Sequence, residues 1–224
     1  VMFSSSLRDI RENSETVTNN IRQVLQGNRY RALNLLQRVQ FLNMYALSKA
    51  WYLSQLLPMP QIIAQKIRSA TGWFIWQGHI LRISRPQLIL PKIRGGLNLI
   101  DPGIKANCLY LKKNLQHLTG QGDKYSETFL KLWVDENRIK NPPNLTNLPK
   151  CAPYIKILIQ SLSYLPHPMP EPLSTKILYT SQLQQIPNPS IIQQCPNFNW
   201  KQIWRNIHNK ALTSTEISLW YKVI

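Results

Sequence analysis

Six side chains between positions 31 and 52 recur at helical spacing: Arg31, Asn34, Arg38, Tyr45, Lys49 and Tyr52, separated by steps of 3, 4, 7, 4 and 3. At 100° per residue they fall within about 60° of one another on one helix face. Cations so placed contact successive phosphates, and phenol rings stack on bases or hydrogen-bond a ribose. At 1.5 Å of rise per residue the stripe runs roughly 30 Å, long enough to follow several phosphates of one strand. The opposite side carries Leu33, Leu36, Met44, Leu47 and Trp51, so the same helix has an apolar face for a core. The bland reading is a solvated amphipathic face. Against it stands the charge pattern: positions 16 to 100 hold eleven Lys and Arg and no Asp or Glu. A mixed surface balances its signs, so this stretch calls for a polyanion.

Two further groups carry weaker signals. Arg82, Arg85, Lys92 and Arg94 stand beside Gly95–Gly96, where they either cradle a phosphate or flank an ordinary turn before Leu97; no GxxxxGK or GxGxxG is present. Trp73, Phe74 and Trp76 with Gly78 are either a base-stacking group or the core of a helix end, since aromatics dominate cores. Catalytic and metal-binding constellations fail. Asp135–Glu136 is the one carboxylate pair, and on a helix the two diverge. No GxSxG occurs. His79, His117, His167 and His208 are far apart, and Cys108, Cys151 and Cys195 lack zinc-site spacing. The reading assigns no catalytic residue and no metal ligand.

These side chains need elements to hold them. The chain has 224 residues and a formal charge of +17, spread as −1 over 1–15, +11 over 16–100 and +7 over 101–224. Neutralising phosphates with such charge releases counterions and makes binding salt-sensitive; an anionic membrane surface is the competing partner. No run approaches the ~20 apolar residues of a span, and SSSLRDIRENSE is not a secretory leader. Three scattered cysteines without CxxC point to an intracellular setting. Residues 17–57 read as helical, broken near Gly27–Asn28, with one uninterrupted helix from Tyr30 to Leu57. Pro58 and Pro60 end it. A helix over 61–77 stops at Gly78, 84–100 is extended or looped, and Asp101–Pro102 opens a helix to about Leu118. Helices are expected over 124–140, 154–164 and 173–185, from Trp200 after an Asn199 cap, and after the capping box Thr213–Glu216. Thirteen of sixteen prolines lie at or after Pro91. The expected fold is mainly α: a basic helical domain over 1–118, then a helical connector over 123–224, Pro-rich in 141–198. Val1–Met2–Phe3 reads as a fragment of something longer.

Six short segments occur in order: Arg38-Val-Gln-Phe-Leu-Asn43, Ser48-Lys49-Ala-Trp51-Tyr52, Leu57-Pro58-Met-Pro60, Phe74-Ile-Trp76-Gln-Gly78, Leu90-Pro91, and Gly95-Gly96-Leu97-Asn-Leu99-Ile-Asp101-Pro102. This series resembles the segment after the catalytic core of LINE-type (non-LTR, jockey-like) retrotransposon reverse transcriptases, over about residues 20–118. Trp200-Lys-Gln-Ile-Trp204 and Trp220-Tyr221 resemble the helical stretch such proteins carry before a Cys/His knuckle. The resemblance implies a thumb and connector that grip an RNA or RNA–DNA template–primer duplex, the rest of the polymerase chain as partner, and a nuclear and cytoplasmic location. It implies no activity for this segment alone: the magnesium-binding aspartates belong to a palm, and neither their paired motif nor the knuckle is present, so no cofactor is assigned. Arg38, Lys49 and Tyr52 match the family pattern, whereas Arg31 and Asn34 rest on the helical face alone. Two other classes stay open: a decayed retroelement fragment or helical scaffold with a protein partner, and a peripheral membrane binder.

Overall fold

The computed structural model describes residues 7–78, 83–131, 153–162, 165, 174–208 and 212–223. Within them the chain is mainly α, as the periodicity predicts, with no strand among the described residues. Its helices are α1 (Leu7–Gly27), α2 (Leu35–Phe41), α3 (Ser48–Leu56), α4 (Gln61–Trp76), α5 (Arg85–Ile89), α6 (Pro102–Leu118), α7 (Lys124–Lys131), α8 (Pro153–Leu162), α9 (Thr175–Gln184), α10 (Ser190–Gln194), α11 (Trp200–Ile207) and α12 (Ser214–Val223). The end of the helix expected over 124–140 lies outside the described residues.

Helix α1 begins ten residues before the predicted run. Its buried stripe is Ile10, Ser14, Thr18, Ile21 and Leu25, so two of five positions are polar and a hydrophobic count misses them. Their hydroxyls are satisfied within the helix: Ser14 donates to Ile10 O at 2.7 Å and Thr18 to Ser14 O at 2.9 Å.

Compact units form from separated stretches. One comprises 1–19, 50–65 and 102–182, the other 20–49, 66–101 and 183–224. The expected division at 118–123 is not the one found.

In the first unit, Tyr110, Leu111, Leu115 and Leu118 of α6 pack with Ile155, Leu158, Ile159 and Leu162 of α8. The Tyr110 hydroxyl donates to Tyr154 O at 3.1 Å. Cys108 is buried in this core, which pushes its thiol up to about 12; it is an inert apolar residue there. Between α6 and α7, Gly122 is required by His117, whose ring would overlap any Cβ at that position.

The helix expected from Tyr30 to Leu57 is three pieces, of which the first two lie in the second unit. Residues 28–30 form a turn, and α2 begins at Leu35 with a reciprocal cap: Asn34 Oδ1 accepts from Gln37 N, and Gln37 Oε1 from Asn34 N, both at 3.0 Å. A π-helical turn then spans Leu42–Ala46, closed by Leu47 N to Leu42 O at 2.9 Å. Such a turn inserts one residue, which sets back everything after it by roughly 100°. The turn has a structural use. It aims Asn43 at the backbone of 98–100, where its amide donates to Asn98 O (2.9 Å) and accepts from Ile100 N (3.0 Å). Positions 84–100, expected to be extended or looped, contain α5 and a 3-10 turn at Lys92–Arg94. Helix α4 ends as predicted at Gly78, whose N–H reaches Trp73 O, with Gln77 and Gly78 both left-handed (φ 52° and 81°). Both N-caps expected near the end of the chain are present: Asn199 accepts from Gln202 N, and Thr213 pairs reciprocally with Glu216.

Candidate nucleic-acid interface

The predicted stripe does not survive as one face. Arg31 is exposed but lies before α2, off the helix, and Asn34 is spent on the cap. Arg38 is half-buried and turned inward: Nε donates to Leu33 O at 2.8 Å and Nη1 to Ile75 O at 2.9 Å. Burial lowers the pKa of that guanidinium. Arg38 also lines a pocket of ≈ 260 Å³ with Leu35, Trp76 and Leu219. Tyr45 and Lys49 are exposed, and so is Tyr52, which belongs to the first unit. The outward face through the π turn is Gln37, Gln40, Met44, Tyr45 and Lys49, with Met44 65% exposed although the continuous-helix reading buried it. Met44 shares the outward side of Gln37 and Gln40, seven and four residues before it, and the inserted residue brings Lys49 round to that side.

The second predicted group divides as well. Arg82 lies outside the described residues, as do His79, Cys151 and His167. Arg85 and Lys92 are exposed. Arg94 is a clamp: Nη1 donates to Leu183 O (2.9 Å), Nη2 to Ile186 O (2.6 Å), and Nε and Nη2 both to Asn188 Oδ1 (3.0 and 2.9 Å). Its donors are committed to backbone and amide oxygens, leaving little for a phosphate. Gly95–Gly96 does not form a cradle either. At Gly95 (φ 81°) a Cβ would stand 2.6 Å from the Trp204 ring, and at Gly96 it would overlap Leu90 O. Both glycines are demanded by close packing.

What covers this turn is the C-terminal aromatic set. Trp200 and Trp204 stack at 5.6 Å between centroids, and Trp204 on Tyr221 at 6.3 Å. Tyr221 donates its hydroxyl proton to Gly96 O at 2.9 Å, so the 2.9 Å contact with His208 Nε2 makes the imidazole the donor to that phenol oxygen. Burial, with Lys92 adding to it, pushes His208 down to about 4. The ring is a neutral structural donor.

Charge, by contrast, is concentrated by the fold. The second unit's three stretches hold fifteen Lys and Arg against Asp101 and Glu216, a net +13; the first unit holds twelve against eight, a net +4. Asp101 is 3% exposed, and both its oxygens accept from Arg68, at 2.7 Å each. This bidentate pair raises the Arg68 pKa and removes the carboxylate from the surface. Eight exposed cations remain in the described part of that unit: Arg22, Arg29, Arg31, Lys49, Arg85, Lys92, Lys201 and Arg205. None forms an ion pair among the described residues.

The Trp73–Phe74–Trp76 group splits between its two readings. Phe74 and Trp76 are core, the first stacked on Phe41 at 5.5 Å. Trp73 is 38% exposed, and the Arg29 guanidinium lies over its ring with Cζ 4.6 Å from the centroid. Arg29 entered the sequence reading only as one of eleven cations; a link between positions 29 and 73 leaves no local signal.

Among the described residues no three His, Cys, Asp or Glu side chains converge on a common point, and no described helix is long and apolar enough to cross a membrane. Compared with protein-family models, curated proteins and solved structures, the chain matches none.

Proposed function

We propose that the second unit grips a nucleic-acid duplex by its phosphates, as the thumb and connector of a LINE-type reverse transcriptase would, with chemistry supplied elsewhere in such a polymerase. The observation that carries this reading is the charge partition. Three separated stretches bring fifteen cations together with two acids, and one of these, Asp101, is buried against Arg68. Self-repulsion of such a unit destabilises it unless a polyanion offsets the field. Of the stripe's cations Arg31 and Lys49 remain in the grip; Arg38 and Arg94 are structural, and the surface cations Arg29, Arg85 and Lys92 join the first two.

Fluorescence anisotropy with an RNA–DNA hybrid tests the reading. Engagement of about four phosphates gives a slope of log affinity against log salt near −3 to −4. Arg31→Glu with Lys49→Glu, both exposed, lowers affinity at least tenfold and flattens that slope while the fold is kept. Undetectable or salt-insensitive binding refutes the reading and favours a scaffold with a protein partner.

A further inference from the structure

We propose that Arg29, Tyr30, Trp73 and Arg85 form a stacking platform for an unpaired nucleotide, so that the second unit prefers a duplex carrying a single-stranded overhang over a blunt one. This rests on the duplex-gripping reading above and adds the base-recognition element to it.

The geometry is specific. Arg29 lies between two exposed rings, with Cζ 4.6 Å from the Trp73 centroid and 5.6 Å from that of Tyr30. Tyr30 is 89% exposed, on a turn whose neighbours cannot bury it. On α4, Gly72 precedes Trp73, and the Arg85 guanidinium lies along it: a Cβ there would be 3.7 Å from Arg85 Nη2. One guanidinium thus lies over the exposed indole, and a second lies beside the backbone of the residue before it. Gly78 lies beside the Trp73 Nε1 edge, where an added Cβ would stand 3.7 Å from that nitrogen.

Single exposed aromatics are ordinary and need no explanation. What marks this group is how its charges are used. A guanidinium stacked on a ring spends its π face, while its in-plane N–H donors stay available. Arg29 is therefore oriented but not consumed, in contrast to Arg38 and Arg94, whose donors are taken by carbonyls. Arg29 and Arg85 have no ion-pair partner among the described residues. Aromatic surface flanked by donor-bearing cations fits a base with its adjoining phosphates, because every base has a π face and every nucleotide a charge. Within a duplex the bases are stacked on each other and present no such face; an unpaired overhang base presents both of its own.

The test uses the full chain with two RNA–DNA hybrids, one blunt and one with a short single-stranded extension. Stacking contributes about 1–3 kcal/mol per base, so the extended probe binds about tenfold more tightly. Trp73→Ala abolishes that preference and leaves blunt-duplex affinity within about twofold; Trp73→Phe keeps most of the preference and controls for folding, and Arg29→Met reduces it. Equal binding of both probes by the unaltered chain, or a preference that survives Trp73→Ala, overturns the platform while the duplex grip stands. Failure to bind either probe overturns the grip and the platform with it.

Discussion

Replacing Arg94 by lysine separates a structural arginine from a phosphate ligand. Arg94 makes four hydrogen bonds from one planar fork: to Leu183 O, to Ile186 O and twice to Asn188 Oδ1, at 2.6 to 3.0 Å. Leu183 O also accepts from Ile186 N at 3.2 Å and is not orphaned by the change. Ile186 O and Asn188 Oδ1 are the groups at risk. A lysine ammonium reaches one of these oxygens but cannot span the fork. Losing roughly two charge-assisted hydrogen bonds, at about 1.5–3 kcal/mol each, and discounting for the partly exposed site, gives a destabilisation of about 2–3 kcal/mol. That is a large share of a typical domain's 5–15 kcal/mol. Urea unfolding followed by circular dichroism reads it as a lower midpoint at unchanged slope. The paired measurement is the salt dependence of hybrid binding well below the unfolding transition, where the folded fraction is complete. It stays the same, because Arg94 holds oxygens of its own chain. A variant with stability within about 0.5 kcal/mol and a salt slope smaller by nearly one contact would make Arg94 a phosphate ligand and refute the clamp.

Three further outcomes follow from the same unit. Asp101→Asn strands the Arg68 guanidinium, which is one-quarter exposed, so the variant loses about 2–3 kcal/mol, below the usual 3–5 for a fully buried pair; a chemical melt within 1 kcal/mol of the parent contradicts this. Gly95→Ala meets Trp204 at 2.6 Å with φ at 81°, and left-handed strain plus overpacking costs about 2–4 kcal/mol, read as a fall in thermal midpoint. For His208 the folded pKa is about 4 and the unfolded one about 6.5. The unfolded chain binds the proton first as pH falls, so this contribution is whole above pH 6.5 and is lost down to about pH 4. The ceiling is ~3 kcal/mol, and ~1–2 remains after allowing for solvent at the half-buried ring. His208→Gln flattens the stability–pH curve between about pH 4 and 6.5, and an unchanged curve shows that the ring does not control it.

What the sequence determined by itself is local. The α class, the stop at Gly78, the start at Pro102, the Asn199 cap and the Thr213–Glu216 box were legible because each depends on residues three or four positions apart, whose hydrogen bonds close within one turn. The acid-free stretch was legible too, since charge is a property of residue type. Phase was not. The 30–57 stripe presumed an uninterrupted helix, and the extra residue of the π turn at Leu42–Ala46 separated Lys49 from Arg38. Nor was the use of each arginine legible. An exposed guanidinium and a clamped one have the same letter, and the choice depends on oxygens far along the chain: 37 residues away for Arg38, 89 to 94 for Arg94. Only tertiary packing brings those carbonyls within reach, so only the folded chain separates the cations that hold it together from those left facing outward.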